Sequence, residues 1–272
     1  MRKKILITGA TAGIGFETAK TLAAQGHHLL VHGRSTAKVD ALKHTLTAVE
    51  GVGPVEGWVA DLADMAHVRA FAAAVTTHHD SLDVLINNAG VFKTPKPITS
   101  AGWDVRFVVN TCAPVVLTQK LRPLLDNKAR VINLSSAAQS PVNLDALAGR
   151  VRLPDFEAYA QSKLALTMWS CHLGRQQSGQ EPSFIAINPG SMLGTNMVRE
   201  GFGVAGKKIS IGSDILVRSA LSDDFAEVSG TYFDNDAHRF AAPHPDALDP
   251  SKCEALLAKI GALIEQHPNT PN

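Results

Sequence analysis

Short apolar runs rich in Val, Ile and Leu alternate along this chain with longer segments of helical periodicity. Several of these runs are apolar at consecutive positions, which is typical of parallel strands buried on both faces. The predicted strands are 4–8, 28–33, 55–60, 84–87, 130–134, 183–187 and 231–233. The predicted helices are 13–25, 36–50, 64–78, 101–125, 156–178, 211–223 and a C-terminal helical extension at 250–267. Because strands that alternate with helices require right-handed crossovers, we predict an α/β doubly wound parallel sheet of about seven strands with helices on both faces.

The composition fits a single globular domain over residues 1–272. A hydrophobic fraction of 45% and a charged fraction of 19% exclude a disordered chain. The net charge of +1 gives no reason to expect nucleic acid or an anionic membrane as a partner. Three widely spaced cysteines favour a reducing compartment, and no apolar run is long enough to span a bilayer, so we predict a cytoplasmic protein. No cluster of Cys and His has the spacing of metal ligands, so no metal site is predicted.

A glycine-rich turn directly follows the first predicted strand and precedes a helix. Its glycines are Gly9, Gly13 and Gly15, with Thr11 and Ile14 between them. Glycines at this place permit a tight turn and let backbone N–H groups approach a diphosphate at the positive end of the helix. The alternative is an ordinary connection between a strand and a helix. The position in the first strand–helix unit favours a dinucleotide site.

The end of the second predicted strand bears on which nicotinamide cofactor binds. A carboxylate there would accept a hydrogen bond from the ribose 2′-OH, whereas Arg34 offers a planar fork suited to a 2′-phosphate. The alternative is a solvated arginine, and Ala12 supplies no second basic group. We therefore predict a preference for NADP(H), with NAD(H) also able to bind. Asp61 and Leu62 are placed to meet the adenine, with a helix cap as the alternative role of Asp61.

A tyrosine and a lysine in the fifth predicted crossover suggest acid–base chemistry. Tyr159 and Lys163 are four residues apart and so share one face of a helix. A nearby ammonium would lower the pKa of the phenol, and the hydroxyl of Ser135 or Ser136 would hydrogen-bond a carbonyl oxygen. The alternatives are a Tyr–Lys pair on a helix surface and, for Asn110, a surface asparagine. All of these residues fall towards the carboxyl end of the predicted sheet, where open α/β sheets bind ligands.

Two irregular segments, 139–156 and 188–208, also follow predicted strands, and we expect them to form substrate loops. The predicted substrate contacts are Phe92, Met192, Leu193, Met197 and Phe202. Flexible methionines and aromatic rings suit a bulky, weakly polar substrate. The alternative is that these side chains only pack the loops against the core.

The motifs T-G-x-x-x-G-I-G, N-N-A-G, S-S before Y-x-x-x-K, and N-P-G together resemble those of the short-chain dehydrogenase/reductase family over residues 3–235. The resemblance implies a Rossmann-type fold in which Tyr159 exchanges a proton with the substrate. It also implies that Lys163 lowers the pKa of this tyrosine and binds the nicotinamide ribose. Ser136, with Ser135 as the reserve choice, would polarise the substrate oxygen, and Asn110 would hold a water in the proton relay.

The resemblance extends to the cofactor contacts and to one branch of the family. The further residues that would contact the cofactor are Asn88, Ala89, Gly90, Pro189, Gly190 and Thr195. The segment between Ser136 and Tyr159 is longer than in most of the family, and Thr195 comes one place later. Both features resemble the branch that contains retinol dehydrogenases, protochlorophyllide reductase and the WW-domain oxidoreductases. The family also implies a homodimer or homotetramer, which the longer segment and the C-terminal extension leave open.

We predict an NADP(H)-dependent oxidoreductase of class EC 1.1.1.- that interconverts a hydrophobic aldehyde or ketone and its alcohol by hydride transfer. The alternative is a non-catalytic dinucleotide-binding redox sensor or scaffold, although the Tyr, Lys and Ser of the catalytic motif are all present. A nucleic-acid binder would use Arg150, Arg152, Lys207 and Lys208, but the near-neutral charge argues against it.

Overall fold

Eight strands form one continuous sheet in the computed structural model, which describes residues 1–176 and 179–266. The strands are β1 Lys4–Ile7, β2 His28–Gly33, β3 Val55–Val59, β4 Val84–Asn87, β5 Arg130–Leu134, β6 Ser183–Asn188, β7 Thr231–Asp234 and β8 Arg239–Ala241. Their order across the sheet is β3-β2-β1-β4-β5-β6-β7-β8. All neighbours are parallel except β8, which pairs antiparallel with β7. The predicted doubly wound parallel sheet is therefore confirmed, with one more strand than expected.

Helices connect the strands. They are α1 Gly13–Ala24, α2 Thr36–Thr47, α3 Met65–His78, α4 Val105–Phe107, α5 Ala113–Leu121, α6 Leu144–Leu147, α7 Asp155–Arg175, α8 Asn196–Phe202, α9 Ser210–Leu221 and α10 Pro250–Gln266. A π-helical turn, Val108–Cys112, joins α4 to α5. Within the described ranges, no helix is both long enough and apolar enough to cross a membrane.

Two hydrophobic clusters explain why the strands are apolar at consecutive positions. Along β1, Ile5 and Ile7 belong to the cluster on one face of the sheet, while Leu6 belongs to the cluster on the other. The same alternation continues in β2, where Leu29 and Leu30 face opposite clusters and are fully buried. Both faces of the sheet are covered over the described residues, so a ligand can approach it at the ends of the strands. The strand order reverses between β1 and β4, and open α/β sheets bind ligands at the carboxyl ends of the strands beside such a reversal.

Several sequence-based boundaries were wrong. The predicted helix 101–125 begins only at Val105, because the Asp104 side chain caps it, and the π-helical turn interrupts it. The predicted loops 139–156 and 188–208 contain the short helices α6 and α8. The strand β8 was missed because it is three residues long and carries little periodicity. The predicted ends of two helices, at 177–178 and 267, lie outside the described residues.

The C-terminal helix α10 covers the long helix α7. Leu256 and Ile260 of α10 are buried in the same cluster as Trp169 of α7. Near the end of α10, the carbonyl of Ile264 accepts a hydrogen bond from Arg69 of α3 at 2.7 Å. The extension therefore forms part of the helical layer on this face of the sheet.

Candidate active site

The glycine-rich turn after β1 has the shape of an anion cradle. Gly9 and Gly13 adopt φ values of 65° and 59°, which favour glycine. A Cβ at Gly15 would lie 2.4 Å from Nδ2 of Asn88, so a side chain there would clash. Ala12 has no polar side chain that could cap α1, and the first turn of α1 contains no acidic residue. The N–H groups of this helix end therefore suit a phosphate, and the residues present fit the diphosphate of a dinucleotide.

The segment after β4 braces this turn. Asn88 Nδ2 donates to the carbonyl oxygens of Thr8 at 2.8 Å and Gly9 at 3.0 Å. In return, Thr8 Oγ1 accepts from the backbone N–H groups of Asn88 and Ala89 at 3.0 and 3.1 Å. Two of the predicted cofactor residues thus hold the predicted phosphate-binding turn in place. The neighbouring Asn87 binds Asn133 of the next strand at 2.9 Å and braces the sheet.

A buried histidine at the end of β2 was missed by the sequence analysis. His32 Nδ1 accepts a hydrogen bond from the backbone N–H of Gly9 at 3.3 Å. Its Nε2 lies 3.0 Å from the carbonyl oxygen of Ala60, and its ring stacks on Phe71 with the centroids 4.9 Å apart. Burial lowers the pKa of His32 to about 4, so the ring is neutral near neutrality. A neutral ring can accept from Gly9 and donate to Ala60 at the same time.

The residues predicted to select the cofactor lie beyond His32. Arg34 is exposed, and a Cβ at Gly33 would lie 2.5 Å from Thr11 Cγ2, so Thr11 packs against the end of β2. Asp61 is exposed as well, and its Oδ1 accepts from the backbone N–H of Ala63 at 2.9 Å.

The helix cap that was the alternative role of Asp61 belongs to Asp64. The Asp64 side chain accepts from Ala66 at the start of α3. Leu62 is buried in the core.

Asn110 lies in the π-helical turn and is fully buried. Its Oδ1 accepts from Val91 N–H at 2.8 Å, and its Nδ2 donates to Val91 O at 3.0 Å and to Ser162 Oγ at 2.9 Å. Turns of this kind occur frequently at functional sites. The side chain joins the segment after β4 to α7, whereas the role of Asn110 in holding a water stays a prediction.

Tyr159 and Lys163 lie on α7 as predicted, and the structure brings them next to Ser136. The Ser136 side chain lies near enough to the Tyr159 phenol to act on its pKa, which it lowers. Lys163 Nζ donates to the carbonyl oxygen of Leu134 at 2.7 Å and lies 5.7 Å from the centroid of the Tyr159 ring. Ser135 Oγ instead pairs with Thr167 Oγ1 at 2.6 Å, in a buried position. Of the two serines, Ser136 is the one that meets the tyrosine.

Burial dominates the protonation of this pair, and the lowering of the tyrosine pKa by the lysine stays a prediction. Burial raises the pKa of Tyr159, and the Ser136 side chain only partly opposes this effect. Burial also lowers the pKa of Lys163 to about 8. Desolvation disfavours the charged form of both groups.

The loop after β6 lies over the glycine-rich turn. Gly190 has a φ of 116°, and Thr195 Oγ1 caps α8 by accepting from Val198 at 3.3 Å. A Cβ at Gly13 would lie 3.5 Å from Thr195 Cγ2, and a Cβ at Gly90 would lie 3.7 Å from Met197 Cε. The loop therefore brings predicted cofactor and substrate residues to the same edge of the sheet as Tyr159.

The turn between β7 and β8 holds the start of this loop, although no sequence motif pointed to it. Asn235 Nδ2 donates to the carbonyl oxygen of Pro189 at 2.9 Å. Asp236 accepts from the Ser191 N–H at 2.9 Å and from Asn188 Nδ2 at 2.9 Å. The extra strand β8 thus completes a turn that anchors the loop.

A cluster of aromatic rings lies on one side of Tyr159. Phe92 is buried, with its ring centroid 5.2 Å from Tyr159, and it stacks on Phe202 at 5.4 Å. Phe156, which the sequence analysis missed, meets Phe92 edge-on at 6.4 Å and is 52% exposed. Leu193 is buried and packs against Gly212.

Methionine completes the apolar surface beside the tyrosine. Met192 is 38% exposed and has a positive φ of 58°. Phe202 is also half-exposed. The exposed members of this apolar surface come from both predicted substrate loops.

The sequence was compared with known protein families and proteins. A family model described as "short chain dehydrogenase" matches residues 3–202 of this chain. Human retinol dehydrogenase 13 is 31% identical over 281 residues, which cover 96% of this chain and 84% of that protein.

Two solved structures share the fold. One, of a protein from Mycobacterium paratuberculosis, is 28% identical, has a TM-score of 0.79 and aligns over 97% of this chain and 93% of its own. The other, a short chain dehydrogenase from Shigella flexneri 2a complexed with NADP, is 25% identical with a TM-score of 0.67, over 86% of this chain and 97% of its own.

Proposed function

This chain belongs to the short-chain dehydrogenase family, in the branch that includes the retinol dehydrogenases, and we propose that it is an NADP(H)-dependent oxidoreductase of a hydrophobic carbonyl compound and its alcohol. Members of the family are oxidoreductases that act on alcohol and carbonyl groups. The observation that carries the finer proposal is the placement of Tyr159, whose ring centroid lies 5.7 Å from Lys163 Nζ and 5.2 Å from the Phe92 ring at the open edge of the sheet.

The residues of the chain would perform the proton chemistry. When bound, the nicotinamide supplies or accepts the hydride. Tyr159 donates a proton to the substrate oxygen during reduction and takes it back during oxidation, while Ser136 donates a hydrogen bond to the same oxygen. Lys163 Nζ lies 5.7 Å from the centroid of the tyrosine ring and donates to the Leu134 carbonyl oxygen.

The neutral tyrosine is the proton-donating form. Burial keeps the pKa of Tyr159 high, so the phenol holds its proton near neutrality. In the oxidative direction, a charged Lys163 beside the ring would favour the phenolate. Both directions depend on groups that are already in position before the substrate arrives.

The residues that would bind the cofactor and select it lie at the same edge of the sheet. The first turn of α1 would hold the diphosphate, Arg34 would bind a 2′-phosphate, and Asp61 with Leu62 would lie at the adenine. The NADP complex of the Shigella protein supports a nicotinamide nucleotide at this place, and the exposed Arg34 supports the preference for NADP(H) over NAD(H).

The substrate would be bulky and weakly polar. The buried Phe92 ring packs beside Tyr159. The half-exposed Phe156, Phe202 and Met192 offer apolar contacts from the two loops. We also propose a cytoplasmic location, which three free, buried cysteines support because thiols persist in reducing compartments.

The test is NADPH oxidation by the full chain with a panel of aromatic and medium-chain aldehydes and ketones, with the reverse reaction measured on the matching alcohols. We expect turnover by the wild type and none detectable from Tyr159→Phe, which keeps the ring but lacks the proton. Undiminished turnover by Tyr159→Phe would overturn the role of this residue. Tight NADPH binding without turnover of any compound would instead favour a redox sensor.

A further inference from the structure

A buried guanidinium joins the segments that form the candidate active site. Arg106 lies in α4 and is only 1% exposed. Its Nε and Nη2 donate to the two carboxylate oxygens of Asp104 at 2.8 and 2.7 Å. The same carboxylate accepts the backbone N–H of Arg106 at 2.9 Å. This bidentate pair fixes the plane of the guanidinium.

The remaining nitrogen reaches two other segments of the site. Nη1 of Arg106 donates to the Asp155 carboxylate and, at 3.5 Å, to the carbonyl oxygen of Phe92. Asp155 is the first residue of α7, and Tyr159 follows it by one helical turn. Asn110 follows Arg106 by about one turn in the other helical segment. The guanidinium therefore lies at the base of both helices, one turn away from a predicted catalytic group on each.

Charge neutralisation does not explain the contact with Asp155. Asp104 is buried and already neutralises Arg106, whereas the side chain of Asp155 is 47% exposed. Pairs that involve an exposed carboxylate contribute little to the free energy of unfolding. The second carboxylate instead fixes a position, because it links the start of α7 to a group that cannot turn.

We propose that Arg106 is a positioning residue: through Asp155 it sets the first turn of α7, and thereby the orientation of the Tyr159 phenol towards Ser136 and the substrate. This inference rests on the proposed function, in which Tyr159 is the acid–base group. A displacement of about 1 Å at a reacting group can reduce the rate ~100-fold, so a link at this distance is sufficient to affect turnover.

Asp155→Asn tests the link while leaving the buried Arg106–Asp104 pair in place. We expect kcat to fall ~10- to 100-fold, with KM for NADPH within about twofold, because the glycine-rich turn is untouched. Asp155→Glu restores the carboxylate and should recover most of kcat. The control is Asp224→Asn, which breaks another exposed Arg–Asp pair, with Arg218, outside the site. It should leave kcat unchanged.

A second measurement does not depend on turnover. The chain contains two tyrosines, Tyr159 and Tyr232, so carbon-13 labelling of the hydroxyl-bearing ring carbon gives two NMR resonances. Tyr159→Phe identifies the Tyr159 signal by removing it. Asp155→Asn should shift that resonance and its titration with pH, since both depend on the surroundings of the phenol. Asp224→Asn should leave the resonance where it is in the wild type.

The outcomes separate the possibilities. The inference is overturned if Asp155→Asn retains kcat and the Tyr159 resonance, or if it lowers the melting temperature while the resonance stays in place. The second result would give Arg106 a role in stability alone. If the wild type turns over no carbonyl compound, the proposed function fails, and the resonance still decides whether the Arg106–Asp155 link positions the tyrosine.

Discussion

The backbone N–H of Gly9 donates to Nδ1 of His32 across 3.3 Å, which ties the glycine-rich turn to the end of β2. This contact requires a neutral ring, because a protonated Nδ1 has no lone pair to offer. Burial is the main reason that the pKa of His32 is lowered to about 4. The same contact therefore makes the fold around the cofactor site sensitive to acid.

The stability contributed by neutral His32 should be lost in acid. The pKa of this residue lies at about 4 in the folded protein against 6.5 for an ordinary histidine, so the unfolded chain takes up the proton first as the pH falls. As the pH falls from 6.5 to about 4, the free energy of unfolding should decrease by up to about 3 kcal/mol. Urea unfolding across this range, compared with His32→Gln, measures the effect.

His32→Gln keeps an amide that can accept and donate but does not titrate in this range. Its stability should fall less steeply with acid than that of the wild type. His67→Gln, at an exposed side chain, controls for the loss of a histidine. Equal slopes for the wild type and His32→Gln would contradict the prediction.

Substitution of the two adjacent serines should have opposite consequences. Ser136 meets Tyr159, so Ser136→Ala should lower kcat ~100- to 1000-fold, as the loss of a donor to a developing oxyanion does. Ser135 is buried against Thr167, so Ser135→Ala should cost about 1 kcal/mol of stability and retain most of kcat. Steady-state kinetics and urea unfolding on both variants provide the measurement. A larger loss of kcat in Ser135→Ala would reverse the assignment.

The fold could be predicted because apolar periodicity reflects which residues are buried and glycine spacing marks the turn after the first strand. The strand β1 is apolar at consecutive positions since both of its faces are covered, and Gly9 and Gly13 mark the turn after it. Tyr159 and Lys163 could be paired from sequence alone because four residues on a helix place two side chains on one face.

The parts of the site that sequence did not reveal depend on long-range contacts. Arg106 pairs with its near neighbour Asp104, but its second partner, Asp155, lies 49 residues further along the chain. His32 lies near the end of a mostly apolar strand, and its partners Gly9 and Ala60 lie in the segments that follow β1 and β3. No local sequence pattern predicts such a pairing, and the burial that raises the pKa of Tyr159 likewise depends on the whole fold.

Removal of Arg34 should alter cofactor choice. A charge-assisted hydrogen bond contributes about 1.5–3 kcal/mol, so Arg34→Ala should weaken NADPH binding ~10- to 100-fold and leave NADH binding unchanged. Titration calorimetry with both nucleotides measures this difference. Lys128→Ala removes an exposed cation at the opposite edge of the sheet and is the control. Unchanged NADPH affinity in Arg34→Ala would show that this side chain does not read the 2′-phosphate.

Truncation of one side chain in α10 should destabilise the protein without involving the site. Leu256 is fully buried in the cluster that contains Trp169 of α7, so Leu256→Ala should cost about 2–5 kcal/mol. Leu248, half-exposed just before the same helix, provides the matched control, and Leu248→Ala should cost less than about 1 kcal/mol. Urea unfolding gives both values. A Leu256→Ala variant as stable as Leu248→Ala would mean that α10 does not contribute to the folded core, and α7 would then be open to a second copy of the chain.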